Sequence, residues 1–390
     1  MSETTYRLYD EERDRAAFVR AMSLAFGGST EDAQAWTAEI PAAMLRTVEQ
    51  GGAFAGGLAL YPFGHWFGGR SVPAVGVAGV GVLPEARGRG AATALMHAAV
   101  REMHEQGVAL STLYPAVKPL YRRAGYEEAG VKCVVEADLP RLRGGDRAAA
   151  LRAATDADRP AIEALERSRA RLHDGNVDRS PHMWRRVRAS RRLDTHAQVV
   201  EEGGVPTGYV QYRMVRSDDG GLLPCQDMVA TTPSAARRLL AFLADHAMQF
   251  AKARWLGHPA DDLLVATSAL ACTVKVSATW MARITHVQAA LASRGYAAAR
   301  QGEVVLDVVD DVCPANAGRW TLHVADGIAQ VGRGGSGGVR LDIRALAALY
   351  TGFTPARVLE RQGRIEGDAR SIATLDGLFG GPLPWMQDEF

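Results

Sequence analysis

Cysteine is scarce in this chain: there are four in 390 residues, and Cys133, Cys225, Cys272 and Cys313 stand 92, 47 and 41 positions apart. With no CxxC pair, neither a zinc knuckle nor a tight disulfide framework is available, and the thiols are expected to be reduced, as in a cytosol. An excess of one charge is missing too, since 45 Lys plus Arg against 44 Asp plus Glu leave a net +1. Without a long-range field, neither nucleic acid nor an anionic membrane surface is an expected partner. Long hydrophobic runs are also absent. Residues 51–69 carry no charged side chain, but their seven glycines, Pro62 and His65 make a poor bilayer helix. Residues 1–12 are acidic and lack the cationic and apolar regions of a signal peptide, so the expected location is the cytoplasm.

A 47% hydrophobic content excludes a disordered chain, and the length suits about two to four domains. Residues 6–9 read as a strand, and 10–25 carry Phe18, Ala21, Met22 and Ala25 at helical spacing. Residues 54–67 and 72–82 flank the turn Gly68-Gly69 and predict a hairpin. Helical periodicity over 90–106 stops at Gly107, and 108–113 is a further strand. A linker is expected over 139–150, around Pro140 and Gly144-Gly145. Beyond it the pattern returns. Arg152 lies 145 positions after Arg7, a helix over 160–170 repeats the first, 198–202 and 205–214 about Gly203-Gly204 repeat the hairpin, and 227–230 with 233–249 repeat the strand and helix. The last hundred residues differ, with helices at 287–294 and 343–350 and strands at 304–309, 320–324 and 328–331. The expected fold is mixed, α+β, in three domains at 1–140, 150–285 and 286–390, the second a duplicate of the first.

Most of the chemistry is concentrated in Val80-Gly81-Val82-Leu83-Pro84-Glu85-Ala86-Arg87-Gly88-Arg89-Gly90-Ala91-Ala92: a strand end, a turn, a glycine-rich loop and a helix start. Glycines let a backbone approach a ligand closely, and the first N–H groups of a helix are donors at the positive end of a dipole, which suits a pyrophosphate. No Gly-Lys-Ser/Thr follows, which excludes a Walker loop, and the hairpin before it excludes a Rossmann turn. Taken alone, the loop is equally well a surface turn whose arginines serve solubility.

In context, residues 5–135 resemble the GCN5-related N-acetyltransferases. Arg87-x-x-Gly90-x-Ala92 matches that family's Arg/Gln-x-x-Gly-x-Gly/Ala signature, and Tyr121-Arg122-Arg123-Ala124-Gly125-Tyr126, 34 residues on, resembles its Tyr-x-x-x-Gly-Phe/Tyr element. Two acetyltransferase-like domains, a sterol-carrier-like domain and a terminal phenylalanine together resemble the enhanced intracellular survival (Eis) acetyltransferases, with local support at 289–296, 318–322 and 346–352. The resemblance implies acetyl-CoA as co-substrate, no metal, a primary amine of an aminoglycoside, polyamine or lysine as acceptor, and a hexamer. It assigns the backbone of Val80, Gly81 and Val82 to the acetyl and pantetheine groups. Arg87, Gly88, Arg89, Gly90, Ala91, Ala92 and Thr93 go to the pyrophosphate, and Ala116 and Val117 to further contacts with CoA. Tyr121 becomes the proton donor, the α-carboxylate of Phe390 the proton acceptor, and Trp36 with Glu389 the amine pocket. The chain departs from the family at Ala116-Val117-Lys118-Pro119, where members often carry Ser-Glu-Gly-Gly. After Pro233 the second copy has Ala235-Ala236-Arg237-Arg238 and no glycine, so acetyl-CoA is expected in the first copy alone.

From spacing alone Tyr121 also reads as an ordinary tyrosine closing a helix, and Phe390 as a frayed chain end. Tyr61, Phe63, His65 and Phe67 share one strand face and read as core packing, with a cationic-amine pocket as the lesser reading. His97, His104 and the arginines at 185, 186, 188, 191, 192, 237 and 238 are expected to be solvated, and no HExxH or similar metal spacing is present. The competing function is a non-catalytic protein that senses acyl-CoA or binds an apolar ligand.

Overall fold

The computed structural model describes residues 3–142, 146–188, 195–217, 220–267 and 271–390; Gly144-Gly145 of the expected linker and Arg191-Arg192 lie outside them. The chain divides into two compact units, Met1–Gly130 with Trp280–Pro384 and Glu389–Phe390, and Val131–Thr279 with Trp385–Asp388.

In the first unit the strands Thr4–Leu8, Leu45–Gln50, Ala53–Phe67, Arg70–Val82 and Leu110–Leu113 are neighbours in sequence order. Each pair is antiparallel except the last, which is parallel. A parallel pair needs a crossover, and helix Ala91–Glu105 supplies it. Its Leu95, Met96, Ala99, Val100 and Met103 recur at helical spacing and join Val75, Val77 and Leu113 of the sheet in one core. Helix Glu11–Phe26 starts at Asp10, whose side chain accepts the Arg13 N–H, and stops at Gly27 in the left-handed region. Its Phe18 and Met22 press onto the other face, where a Cβ on Gly57 or Gly81 would come within 2.5 or 2.6 Å of them. The face is glycine-lined because a ring and a thioether fill the space of its side chains.

The same unit contains a five-stranded sheet ordered Ile328–Arg333, Gly318–Ala325, Gly302–Val309, Val339–Asp342, Ile365–Glu366, with helices Val287–Ser293, Ile343–Tyr350, Ala356–Arg361 and Ala369–Phe379. Arg294, only 3% exposed, stands 5.2–5.8 Å from the rings of Phe67, Tyr296, Tyr350 and Phe379 and donates to the carbonyls of Tyr350 and Gly295. Ring faces and carbonyl dipoles both stabilise this buried guanidinium. Tyr61, Phe63, His65 and Phe67 are all buried, as core packing requires. His97 and His104 are not solvated as expected. Both are half-buried, with His97 Nε2 3.2 Å from the Arg123 carbonyl and His104 Nδ1 2.9 Å from that of Thr285. Elements remote in sequence cover that helix face, which local periodicity cannot reveal.

The second unit repeats the first. Ala150–Ala153, His196–Glu202, Val205–Tyr212, Leu222–Ala230 and Lys252–Gly257 are joined by three antiparallel pairings and then a parallel one, with helix Pro233–Asp245 as crossover. Arg152 donates to Asp158 and Glu201 as Arg7 does to Asp14 and Glu49. This alignment corrects one expectation: Gly203-Gly204 corresponds to Gly51-Gly52, not to Gly68-Gly69. The first copy has two glycine-pair turns, and only the ion pair two residues ahead tells them apart. Trp385–Asp388 is buried here: the Met386 N–H donates to the Val131 carbonyl, and Arg179 bridges Asp388 at 2.8 Å and Asp227 at 2.6 Å. Arg188 and Arg179 lie 5.2 and 4.7 Å from the centre of the Trp184 ring, so Arg188 packs rather than standing free in solvent.

Each unit takes its sixth strand from a distant part of the chain. In the first, Met281, opposite Leu113, to Ile284, opposite Leu110, extend the sheet. In the second, Cys133, opposite Gly257, to Asp138, opposite Lys252, do the same.

Candidate active site

The candidate site is built on the strand Arg70–Val82. Along its pairing with Ala53–Phe67, Gly57 faces Gly81 but Ala59 faces Ala78, so Gly79 and Val80 together oppose one residue. This is a β-bulge. Gly79 takes φ +58°, and a Cβ there would lie 2.2 Å from the indole of Trp36, so only glycine fits against that ring. On the other edge, pairing with Leu110–Leu113 runs from Ala74 opposite Leu110 to Gly76 opposite Thr112. Arg70–Val82 continues past that point, and the backbone of Val80, Gly81 and Val82 lies in the continuation. An edge outside its ladder offers N–H and C=O groups to an extended ligand.

The loop that follows is held open by its glycines. Gly88 and Gly90 take φ +74° and +85°, and nothing lies within 4 Å of a Cβ on either. Gly90 opens helix Ala91–Glu105, which has neither a side-chain cap nor an acidic residue in its first turn. The N–H groups around Ala91, Ala92 and Thr93 are therefore left to a ligand or solvent. Arg87 donates from Nε to the Val82 carbonyl at 3.2 Å, and the Arg89 carbonyl accepts from Gln50 Nε2 at 3.0 Å. Open space, positive-φ glycines, nearby arginines and an uncapped helix start together fit a pyrophosphate. In the second copy, Thr232 Oγ1 accepts the Ala235 N–H at 3.0 Å and closes that helix start.

Tyr121 is on helix Lys118–Arg123, directly after the exposed Ala116 and Val117. It is 6% exposed, and burial pushes its phenol above the usual tyrosine pKa. Its ring meets that of Tyr126 edge-on at 6.3 Å, and the Tyr126 hydroxyl is 2.7 Å from Ser111 Oγ. The Phe390 ring lies between Phe63 and Tyr114, 5.1 and 6.2 Å between centroids, and covers Gly76, where a Cβ would fall 2.7 Å from it. This chain end is docked rather than frayed. Glu389 before it is exposed.

One strand thus gathers Val80, Gly81 and Val82, the ring of Trp36 at Gly79 and the ring of Phe390 at Gly76. Sequence reasoning missed Gly76, Gly79 and Tyr114, and took Phe63 for core packing without its contact to Phe390. A signal existed, since Gly76, Gly79 and Gly81 interrupt a strand-forming run, and interior strand glycines mark bulges and close approaches. Among the described residues no group of three or more His, Cys, Asp or Glu is placed to hold a metal ion.

Residues 5–129 match an acetyltransferase (GNAT) domain, 175–284 a second acetyltransferase (GNAT) domain, and 287–387 a sterol carrier protein domain. An uncharacterized N-acetyltransferase of Streptomyces coelicolor is 30% identical over 346 residues, covering 83% of this chain and 82% of its own. A GCN5-related N-acetyltransferase of Anabaena variabilis superposes with a TM-score of 0.95 at 32% identity over 100% of both chains. Eis1 of Mycobacterium abscessus, 24% identical over 100% of both chains, shares the fold with a TM-score of 0.79. The two duplicated sheets carry GNAT domains, which use acetyl-CoA as co-substrate, and with its sterol-carrier segment the chain belongs to the GCN5-related N-acetyltransferases.

Proposed function

We propose that this enzyme is an Eis-type acetyltransferase that moves the acetyl group of acetyl-CoA directly to a primary amine of an aminoglycoside, a polyamine or a lysine side chain. The observation that carries this reading is that the strand Arg70–Val82 runs on beyond its pairing with Leu110–Leu113, which ends at Gly76, with the ring of Phe390 docked at that glycine. The backbone of Val80, Gly81 and Val82 holds the pantetheine arm and the acetyl carbonyl, and residues 87–93 with Ala116 and Val117 hold the rest of CoA. Trp36 and Glu389 form the amine pocket.

In the transfer the amine nitrogen bonds to the acetyl carbon, the carbon–sulfur bond breaks, and the amine loses a proton while the sulfur's new charge is met. Tyr121 donates a hydrogen bond to that sulfur. Full proton transfer from a phenol of pKa ~10 to a thiolate of conjugate pKa ~8.5 is uphill by about 2 kcal/mol in water. Burial raises the phenol further, which favours hydrogen bonding over transfer. The Phe390 carboxylate accepts the amine proton. In water a carboxylate of ~3.5 is mismatched with an ammonium near ~10 by about 9 kcal/mol, and partly apolar surroundings narrow that gap by disfavouring both charges.

In this reading residues 1–140 carry the acetyl-CoA loop, 150–285 are a copy without it, and 286–390 deliver the terminal carboxylate. Assembly as a hexamer in the cytoplasm, without nucleic acid or membrane, completes it. Among the described residues no helix is long and apolar enough to cross a membrane. A purely non-catalytic role gives way to the family's enzymatic activity. The test is thiol release from acetyl-CoA with a panel of aminoglycosides, spermidine and a lysine peptide, with mass spectrometry of the products. Amine-dependent release and an acetylated amine are expected, and thiol release that no amine accelerates would sink the substrate class.

A further inference from the structure

We propose that Arg283, fixed by Asp310, is a positioning residue for Tyr121: its guanidinium is the floor on which the turn behind the Tyr121 helix is set. The proposal rests on the role given to Tyr121 above.

Arg283 is fully buried and stands opposite Ser111 in the strand added to Leu110–Leu113. Its Nη2 donates to both oxygens of Asp310 at 2.7 Å. Asp310, equally buried in its side chain, also accepts the N–H groups of Val312 and Cys313 at 3.1 Å and Asn316 Nδ2 at 3.0 Å. A carboxylate with that many donors has one orientation, and so therefore does the guanidinium it holds.

Two routes lead from this fixed group to Tyr121. The first is direct packing. Gly125 takes φ +87°, and a Cβ on it would lie 2.8, 2.9 and 3.1 Å from Nε, Cζ and Cδ of Arg283. That glycine closes the Tyr121 helix. The Tyr121 carbonyl accepts from the N–H groups of Ala124 at 3.0 Å and Tyr126 at 3.1 Å, and the Arg122 carbonyl from that of Gly125 at 3.0 Å. Tyr121 and Gly125 therefore move together. The second starts from the backbone of Arg283, paired opposite Ser111, whose hydroxyl lies 2.7 Å from that of Tyr126, whose ring abuts Tyr121.

A buried ion pair is poor evidence of stability, because desolvation offsets most of its attraction. Its geometric value is larger, since a displacement of about 1 Å at a reacting group can lower turnover about 100-fold.

The test compares the full-length enzyme with Arg283→Met/Asp310→Asn, which removes both charges and roughly keeps the volume, and with Arg283→Lys, which keeps the charge but not the flat guanidinium. Melting temperature, kcat and both KM values are read, each alone and combined with Tyr121→Phe. A folded double variant should lose about 100-fold in kcat with both KM values nearly unchanged, Lys should restore only part, and Tyr121→Phe should add little in that background. If the double variant does not melt cooperatively, Arg283→Lys carries the same comparison. Unchanged kcat, or losses that simply add to those of Tyr121→Phe, would overturn the proposal. Fluorine NMR with 3-fluorotyrosine at position 121 separates it from the underlying role: an Arg283-dependent shift with Tyr121→Phe fully active removes the role of Tyr121, and an unmoved resonance removes the positioning.

Discussion

The ring of Phe390 stands 5.1 Å from that of Phe63 at a tilt of 52°, beside Gly76, where the pairing of Arg70–Val82 with Leu110–Leu113 ends. Chain ends usually fray because little offsets the entropy of ordering them. Here an aromatic pair, which contributes about 0.5–1.5 kcal/mol beyond its buried area, and a glycine without a side chain give the ring a seat. In the proposed reading this seat is what fixes the carboxylate that follows the ring.

Moving the carboxylate should abolish turnover while the fold survives. Deleting Phe390 leaves it on Glu389, displaced by up to ~3.5 Å, and a C-terminal tag replaces it by an amide. Both should be nearly inactive, an N-terminally tagged enzyme should be active, and Phe390→Ala, which keeps the charge but loses the ring, should fall between. Gly76→Ala should resemble Phe390→Ala, because its methyl occupies the ring's place. Full kcat in a folded, C-terminally extended enzyme would return Phe390 to an ordinary chain end.

Tyr121→Phe keeps the ring packing and removes the hydroxyl alone. We expect kcat to fall by about 10²–10⁴-fold with little change in acetyl-CoA affinity. Turnover within a factor of two of the parent would remove the hydroxyl from the mechanism.

Gly90→Val should weaken acetyl-CoA binding about 5–30-fold by calorimetry. The space around Gly90 is open, so the penalty is the left-handed backbone, on the order of 1–2 kcal/mol for a residue with a Cβ. One site per chain is expected, since Thr232 caps the equivalent helix of the second copy. Two sites, or unchanged affinity in the variant, would count against the loop.

Glu166 in the second unit is 1% exposed, and burial pushes its carboxyl up to about 7 although Arg179 and Arg169 pull it down. Because the folded pKa lies above the ordinary 4.5, the folded chain holds the extra proton between these values. Its stabilisation is complete below about 4.5 and is lost as pH rises through about 7, by at most about 3 kcal/mol. His173, pulled down to about 4 by burial, acts in the opposite sense, its contribution being full above the ordinary 6.5 and lost as pH falls from there to about 4. The two offset each other in the parent, so the informative quantity is a difference. The melting temperature of Glu166→Gln minus that of the parent should grow from pH 4.5 to 7, and a flat difference would mean that the carboxyl titrates normally.

Much of this was legible in the sequence, because helices, hairpin strands and a glycine-rich loop are written in short-range patterns. Arg7 and Arg152 even marked the duplication, and each proves to hold a carboxylate from its own helix start and one from the next strand. The docking seat of Phe390 was not legible, since Phe63, Gly76 and Tyr114 are assembled by strand pairing. Nor was the partnership of Arg283 with Ser111, 172 positions apart, which no local period encodes. The bulge at Gly79 lay between these cases: its glycines were visible, but its purpose depended on where Trp36 would pack.

The sixth strand of the first unit has a consequence for how the protein is made. Leu110–Leu113 leaves the ribosome with its outer edge bare, and the segment that covers it, around Met281 to Ile284, is synthesised about 170 residues later. At ordinary translation speeds of about 5–20 residues per second, that edge waits roughly 10–30 s for its partner. The nascent amino-terminal segment is therefore a natural client for chaperones. Cut out and expressed alone as residues 1–140, it keeps that edge permanently and should be recovered as aggregate rather than as a small free-standing acetyltransferase.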